Sequence, residues 1–161
     1  MATTTWTSIR DRCVSRIAAL TPAISSQKFQ TRPVLQKDLR AWSSGAGSAA
    51  LRAFDVVRLS GGDEAMFMDP SQFEVTERAE VVVAYPTKPF NEYGTSALDS
   101  IEAMVDADAS QIRDAITSAG NYVSGQNLAR VTEVVINKDA EEVWFCVISF
   151  HVVYYRAQVL V

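Results

Sequence analysis

The sequence predicts an α+β protein: an antiparallel sheet with helices packed on one face, a long N-terminal loop and a C-terminal β-hairpin. Two segments, 6–20 and 98–116, carry apolar residues three or four positions apart, as amphipathic helices do. The other structured segments alternate apolar and polar residues or are rich in β-branched and aromatic side chains, which favour strands. Because strands and helices do not alternate one by one, we predict an α+β fold and not a parallel α/β sheet.

The size and composition indicate one globular domain over residues 1–161. The formal charge is -4 and charged residues make up 21% of the chain, so we expect no basic surface for nucleic acid. The N-terminus lacks the apolar segment of a signal peptide, and the apolar run that starts at Val143 is about 13 residues long, shorter than the ~18 residues that a membrane helix needs. We therefore expect a protein made in the cytoplasm, with Cys13 and Cys146 as buried, reduced thiols.

The first predicted helix covers residues 6–20. Thr5 precedes it as an N-cap, since a threonine hydroxyl can accept a hydrogen bond from a free backbone N–H of the first turn. Pro22 lies just beyond the point where the helix should end. The apolar residues that share one face are Trp6, Ile9, Cys13, Ile17 and Leu20. We expect this face to be buried.

Two loops, 22–50 and 86–96, are candidate contact surfaces. The first has prolines, a Gly/Ser/Ala-rich stretch and no clear period, so we predict an extended loop. Connections of this length are unusual in compact domains and are often functional. Both loops carry apolar residues that a solvated linker would not need, and we expect these to touch a neighbouring subunit or partner. They are Phe29, Leu39, Trp42, Phe90 and Tyr93.

The middle of the chain predicts strands followed by a helix. One strand at 51–60 should end at the Gly-Gly-Asp turn signal of 61–63, and residues 72–85 fit either two strands or one long bent strand. In the second helix we expect a break near Asp106, with Asp108 as the N-cap of a second helical piece. Gly and Asn at 120 and 121 should stop it.

The last third of the chain predicts a β-hairpin with an unusual return strand. A strand at 129–136 and a turn at 137–139 lead into a long strand that starts at Val143. Both faces of this strand are mostly apolar, whereas a strand with one solvent-exposed face alternates apolar and polar residues. We therefore predict that its second face packs against another copy of the chain; helices on both faces, or a bulge, are the alternatives. The candidate interface residues on that face are Phe145, Val147, Val153 and Tyr155.

No catalytic, cofactor or metal site stands out in the sequence. Residues 45–50 match the GxGxxA pattern of dinucleotide-binding turns, but a polar loop precedes them and a strand follows, so we interpret them as a flexible loop. His151 is the only histidine and lies inside the apolar return strand, where a packed histidine is more common than a catalytic one. A zinc site typically needs about four Cys, His or acidic ligands, and no such spacing occurs. We predict a protein that is not an enzyme and has no cofactor or metal.

Five segments follow one another in a recognisable order: "TSIRDRCVSRIAAL", "LRAFDVVRLS", "AEVVVAYP", "SALDSIEAMV" and "FCVISFHVVYYR". Their order and spacing resemble the tail terminator, or tail completion, proteins of long-tailed bacteriophages. The positions that correspond to the family's Arg-x-Phe-x-Val strand are Arg52, Phe54 and Val56. The positions that correspond to its V-x-V-x-Y strand and its closing strand are Val81, Val83, Tyr85, Tyr155 and Arg156. Residues 22–50 depart from the pattern, because this segment is longer than the family norm.

The resemblance implies a structural virion protein, assembled in the host cytoplasm. Such proteins form a hexameric ring on the head-proximal end of the tail tube, stop its polymerisation and join the tail to the neck or connector. The implied partners are further copies of the chain, the tail tube protein and the neck or head-completion protein, while DNA passes through the lumen without specific binding. Two alternatives stay open. One is another head–tail joining or tail tube component; the other is a small ligand-binding or enzymatic domain that uses His151 with Glu133 or Glu142.

Overall fold

The computed structural model describes residues 4–24, 27–31, 51–66, 72–87, 97–138 and 143–157. In chain order, the elements in these ranges are α1 (Trp6–Ala18), β1 (Gln30–Thr31), β2 (Ala53–Met66), β3 (Gln72–Pro86), α2 (Ala97–Thr117), a 3-10 turn (Ala119–Asn121), β4 (Gln126–Asn137) and β5 (Val143–Ala157). Of the helices in the described ranges, none is long and apolar enough to cross a membrane.

The strands form one five-stranded sheet in the order β1-β2-β3-β5-β4. The short β1 runs parallel to β2, and the remaining neighbours are antiparallel. Two helices with a mostly antiparallel sheet confirm the predicted α+β class, and β4 with β5 forms the predicted C-terminal hairpin. The return strand β5 lies between β3 and β4 and pairs along its full 15 residues with β3.

Helix α1 begins at the predicted cap. The Thr5 hydroxyl accepts a hydrogen bond from the Ser8 backbone N–H at 3.2 Å, and Ser8 Oγ accepts one from the Thr5 N–H at 3.1 Å. These reciprocal bonds form a capping box, which satisfies backbone donors that the first turn leaves free. The buried residues of α1 are Ile9, Cys13 and Ile17. These residues are four positions apart, so they lie on one face of α1. That face packs against β2 and α2.

The variant Thr5→Ala tests this cap. Because an N-cap hydroxyl contributes about 1 kcal/mol, we expect the free energy of unfolding to fall by about that amount. Urea denaturation followed by circular dichroism measures the change. Thr7→Ala is the control, since Thr7 is exposed on the same helix and its loss should change stability by less than about 0.5 kcal/mol. Equal effects of the two substitutions would contradict the role given to Thr5.

Strand β2 continues where the sequence predicted a turn at 61–63. Pairing with β3 runs on to Met66, but the register shifts between Arg58 and Ser60 and again between Ser60 and Asp63. At each shift β2 has one residue more than β3, which is the definition of a β-bulge. The two glycines therefore mark a bulged stretch and not the end of a strand, since glycine accommodates the backbone of a bulge.

Strand β3 is the single long strand that the sequence allowed as one of two possibilities. It runs from Gln72 to Pro86, and its register with β5 is unbroken. The outermost strand β4 is irregular, with register shifts between Gln126 and Leu128 and between Val131 and Glu133. The sheet thus has a regular centre of β3 and β5, and bulged strands on either side.

Helix α2 is one continuous helix, so the predicted break at Asp106 and Asp108 is wrong. Asp106 is exposed in the middle of the helix, and the side chain of Asp108 is completely buried instead of capping a helix end. Asp108 shares the inward stripe with Ile101 and Ile112, seven and four residues away. The low helix propensity of aspartate, a few tenths of a kcal/mol, is outweighed by the packing and the ion pair of this side chain.

The main core lies between the two helices and one face of the sheet, which we call the core face. In β5 the even-numbered residues from Trp144 to Tyr154 point to this face, and all of them are buried. Neighbouring strands contribute residues in register with them. Fully buried side chains from this layer and the helices are Ile9, Ile17, Phe54, Val81, Val83, Ile101, Ile112, Ile148 and Phe150. This single cluster accounts for the helical and strand periodicities of the sequence.

Cys13 and Cys146 are free and buried, as predicted. Burial raises the pKa of the Cys13 thiol to about 11. Burial, with a smaller contribution from the carboxylates of Asp108 and Asp106, raises the pKa of Cys146 to about 12. Because the thiolate is the reactive form of cysteine, both side chains should be chemically inert in the folded protein.

Thiol labelling tests this expectation. At about pH 8, shifting a thiol pKa from near 9 to near 11 lowers the thiolate fraction about 100-fold. We therefore expect both cysteines of the native protein to react with a chromogenic disulfide reagent at least about 100-fold more slowly than in the urea-unfolded chain, where they regain ordinary pKa values. Rapid, stoichiometric labelling of either thiol in the folded protein would contradict its burial.

Candidate interaction surface

The face of the sheet opposite the core, which we call the outer face, is built mainly from β3, β5 and β4. It carries the odd-numbered residues of β5 and the even-numbered residues of β3, because side chains alternate between the two faces. On β4 the alternation is reset by the bulge between Val131 and Glu133. Cross-strand pairing therefore arranges the outer side chains in rows that cross the three strands.

Four such rows follow one another along the strands. The valine row consists of Val82, Val147 and Val135. The acidic row consists of Glu80, Ser149 and Glu133. The basic row consists of Arg78, His151 and Arg130. The leucine row consists of Thr76, Val153 and Leu128. Two charged rows thus lie side by side between two more apolar ones, with adjacent rows about 7 Å apart.

The chain does not close the outer face by itself. Leu128 and Val135 are 46% and 42% exposed, and Leu59 on the neighbouring β2 is 43% exposed. Val147 and Val153 in the centre are half-buried. On the core face, the even-numbered residues of β5 from Trp144 to Tyr154 are all buried, and Val131, Val134 and Ile136 of β4 are partly buried against the core. The exposed apolar side chains of the outer face are separated by the two charged rows, so this face is a mixed apolar and charged surface, and protein–protein interfaces commonly combine both kinds of side chain.

One end of the outer face is closed. Val143 and Phe145 are 2% and 7% exposed, and with Ala84 and the half-buried Val82 they form a small apolar cluster separate from the main core. We predicted that the chain does not cover all of the apolar surface of β5. This prediction therefore applies only to the part of the strand from Val147 onward. At the beginning of the strand both faces are buried within the chain.

The charges of the outer face are mostly unpaired within the part of the chain that the structure describes. Glu80 accepts a hydrogen bond from Ser149 Oγ at 3.3 Å. Arg78, Arg130 and Glu133 are exposed, and among the described residues none of them takes part in an ion pair. Charged side chains of both signs are therefore available for contacts with another molecule.

The free edge of β2 is blocked by side chains. Arg10 of α1 donates from Nε to the Val56 carbonyl at 3.0 Å and from its terminal nitrogen to Asp55 Oδ1 at 2.9 Å. The same Asp55 oxygen accepts the Val56 backbone N–H at 2.8 Å. Both main-chain groups of Val56 are thus satisfied without a further strand. This arrangement disfavours association through strand pairing at that position.

A buried ion pair that sequence reasoning missed joins the start of β2 to α2. Arg52 and Asp108 are both fully buried, with Nε–Oδ2 and Nη2–Oδ1 distances of 2.6 and 3.1 Å. The Tyr85 hydroxyl donates to Asp108 Oδ2 at 3.0 Å. The remaining guanidinium donors bind the backbone carbonyls of Ile24 and Gln27. The cluster therefore ties the start of β2 to β3, to α2 and to the segment that follows α1.

The ion pair is enclosed in the fold. Burial raises the pKa of Asp108, and the hydrogen bond and charge of Arg52 act in the opposite direction. Burial also raises the pKa of Tyr85 well above its ordinary value. Perturbed pKa values often mark active sites, but these side chains are enclosed and cannot reach a substrate. Arg52 also has a φ of 57°, which places a non-glycine residue in the left-handed region, so the local backbone is held by these contacts.

A second polar cluster closes the opposite end of the core face. Glu77 of β3 is almost completely buried and binds Arg58 of β2 through two hydrogen bonds of 2.6 and 2.8 Å. The Tyr154 hydroxyl donates to the same carboxylate at 3.2 Å. Burial, reinforced by the Glu77 charge, raises the pKa of Tyr154 to about 12. The cluster joins β2, β3 and β5, and these bonds do not involve the charges of the outer face.

The sequence-based interface residues fall into three groups. Val147, Val153 and Tyr155 lie half-buried on the outer face. Phe29 and Phe145 do not suit an accessible contact: Phe29 packs edge-on against Phe54 in the core, with ring centroids 6.2 Å apart, and Phe145 belongs to the small buried cluster. The remaining candidates lie outside the described residues, as do residues 45–50. They are Leu39, Trp42, Phe90 and Tyr93.

The residues named for a pocket enzyme are not gathered in a cavity. His151 lies on the outer face between two arginines of its row, and Glu133 belongs to the neighbouring row. An open groove of about 780 Å³ runs between the ends of α1 and α2, where it is lined by Arg16, Gln111 and other side chains, and it does not include His151. Glu142 lies outside the described residues. Within the ranges described, no group of three or more His, Cys, Asp or Glu side chains could hold a metal.

No family model matches the chain, and no curated protein matches it either. The outer face, with its exposed apolar residues and unpaired charges, is therefore the candidate functional site on physical grounds. Its exposed apolar and charged side chains are of the kinds that protein interfaces use.

Proposed function

We propose that the protein is a structural virion component: a hexameric ring that caps the head-proximal end of a phage tail tube, terminates its polymerisation and joins the tail to the neck. The observation that carries the proposed assembly is the outer face, where Leu59, Leu128 and Val135 stay exposed, and the role on a phage tail rests on the resemblance of the sequence to tail terminator proteins. A surface of this kind offers contacts to another protein, and further copies of the same chain are the nearest source.

The two edges of the sheet support an assembly that stops. On the β2 side, Arg10 and Asp55 occupy the two main-chain hydrogen-bonding groups of Val56. On the β4 side, two register shifts make the strand irregular, and bulges of this kind disrupt pairing with a further strand. A tube component that polymerises through continuous sheets would need open edges. Contacts through the outer face and loops can instead close by rotation into a ring.

The charge of the chain is compatible with a passage for DNA. A formal charge of -4 per copy gives a ring no general attraction for phosphate, so DNA could move through the lumen without being held. Tail tube protein on one side and a neck or head-completion protein on the other complete the proposed set of partners. In this account the protein is not an enzyme and requires neither cofactor nor metal.

Tube polymerisation in vitro tests the proposed function. Purified protein is added while the tail tube protein of the same phage polymerises, and tube lengths and ends are examined by negative-stain microscopy. We expect shorter tubes with a disc at one end only. Val135→Glu, which places a charge on the outer face, should lose most of this effect, whereas Thr7→Ala should retain it.

Other outcomes would point to the alternatives. Filaments formed by the protein alone, or incorporation along the tube wall, would indicate a tube component. Capping with unchanged efficiency by Val135→Glu would contradict the role of the outer face. Failure of the protein to bind either end of the tube would contradict the capping function itself.

A further inference from the structure

The outer face has a symmetry that an ordinary apolar patch lacks. Along β5 the residue types mirror each other about Phe150, with polar Ser149 and His151 flanked by Val147 and Val153. The neighbouring strands have the same property, since the acidic and basic rows lie in the middle with the valine and leucine rows outside them. Reversing the order of the rows therefore puts the acidic row where the basic row was. It also puts the leucine row where the valine row was, and both of these are mostly apolar.

We infer that the free protein pairs through this face with a second copy of itself, as a two-fold dimer. The two-fold axis runs across the strands, midway between the acidic and basic rows. Rotation about this axis lays each strand over the same strand of the other copy and reverses the row order. Such an interface is isologous, so every contact occurs twice. The inference goes beyond the proposed ring and does not depend on it.

The charges specify this axis. With it, Glu80 faces Arg78 of the second copy, and Glu133 faces Arg130 of the second copy, each pair being repeated by symmetry. Among the described residues, Arg78, Arg130 and Glu133 have no ion-pair partner of their own, so these contacts satisfy charges that the single chain leaves unpaired. A two-fold axis parallel to the strands would place acidic row on acidic row, and like charges would oppose it.

The apolar side chains match under the same rotation. Val147 meets Val153 of the second copy, and Val135 meets Leu128 of the second copy. Leu128 and Val135 are the most exposed apolar side chains of the two end rows, so they gain most from being covered. Aligned sheets pack about 10 Å apart with their strands rotated by about 30°. Because the patch is only three strands wide, this rotation displaces its side chains little, and the side chains of opposing rows can still touch.

The size of the patch predicts a weak dimer. The outermost rows are about 20 Å apart and the outer strands about 10 Å apart, which is small for a stable interface. Pairing should therefore depend on protein concentration and, because the central contacts are ionic, on salt. A pair of this kind would cover the outer face before assembly. It would have to separate before the same face could contact a different surface in a ring.

Charge reversal at two positions of β4 tests the pairing. Arg130 and Glu133 are exposed, so Arg130→Glu and Glu133→Arg should leave folding intact. Sedimentation velocity over a series of concentrations in low salt should show a monomer–dimer equilibrium for the wild type. In either single variant two attractive contacts become repulsive, and the dissociation constant should rise at least about tenfold. Arg113→Glu, an exposed charge reversal on α2, is the matched control and should behave as the wild type.

Mixing the two variants gives the decisive result. In a heterodimer of Arg130→Glu with Glu133→Arg, every residue at position 130 faces an opposite charge at position 133, so the mixture should dimerise although each variant alone does not. A wild-type protein that stays monomeric, or a mixture that fails to pair, would overturn the inference. A wild type that forms closed rings in solution would also overturn the dimer and would support the ring. Tube capping by a monomeric wild type would likewise leave the proposed function standing.

Discussion

The variant Asp108→Ala is expected to lose about 3–5 kcal/mol of folding free energy, which is a large part of the stability of a domain this size. The substitution leaves the Arg52 guanidinium buried without its carboxylate, and the Tyr85 hydroxyl without its acceptor. An unpaired buried charge is more costly than the ion pair itself is worth. Urea denaturation should show the loss, and the variant should accumulate poorly in cells.

The neighbouring residue provides the control for this prediction. Asp106 belongs to the same helix two residues away but is exposed. Asp106→Ala should therefore change stability by less than about 0.5 kcal/mol, or increase it slightly through the higher helix propensity of alanine. Tyr85→Phe removes only one hydrogen bond to the buried carboxylate and should cost about 1–2 kcal/mol. Equal stabilities of the two alanine variants would contradict the importance of the buried pair.

The second large effect concerns adjacent residues on opposite faces of β5. Ile148 is completely buried on the core face, and its replacement by alanine should cost about 2–5 kcal/mol through lost burial and the cavity left behind. Val147 is half-buried on the outer face, and Val147→Ala should cost about 1 kcal/mol or less in the free chain. Denaturation of both variants measures the difference between the two faces.

The same pair of variants separates folding from association. Val147→Ala should keep the fold and weaken contacts between copies, whereas Ile148→Ala should lower stability and affect association only as far as it unfolds the chain. Should Val147→Ala destabilise the isolated chain as much as Ile148→Ala does, the outer face would be part of the fold of a single subunit. The case for an interface on that face would then be lost.

The helices, the hairpin and the α+β class follow from periodicity, because local spacing is enough to indicate which side of a helix or strand is buried. The error at Asp108 shows where such reasoning stops. Aspartate is common at helix starts, but this one falls on the stripe shared by Ile101 and Ile112, which is a sign of burial. Its partner Arg52 lies 56 residues earlier in the chain. Only the tertiary fold brings the two together, so sequence alone offered a weak signal for the pair.

The candidate site shows the same division between local and long-range information. The sequence alone shows that both faces of β5 carry apolar residues, more than a strand with one solvent-exposed face would have. The rows of the outer face were not, because they depend on the register between β3, β5 and β4. In particular, Arg130 pairs with His151, and the bulge between Val131 and Glu133 then places Glu133, in place of Thr132, beside Ser149. A bulge shifts every later side chain to the other face, and its position cannot be derived from alternation alone.

Leu128 and Val135 provide the most direct test that the outer face is a contact surface. Both are exposed, so a double variant with glutamate at the two positions should fold with nearly unchanged stability in denaturation experiments. Light scattering at increasing protein concentration would then compare its mass with that of the wild type. We predict that the wild type associates and that the double variant remains a monomer. Identical masses at every concentration would contradict the claim that other protein molecules cover this face.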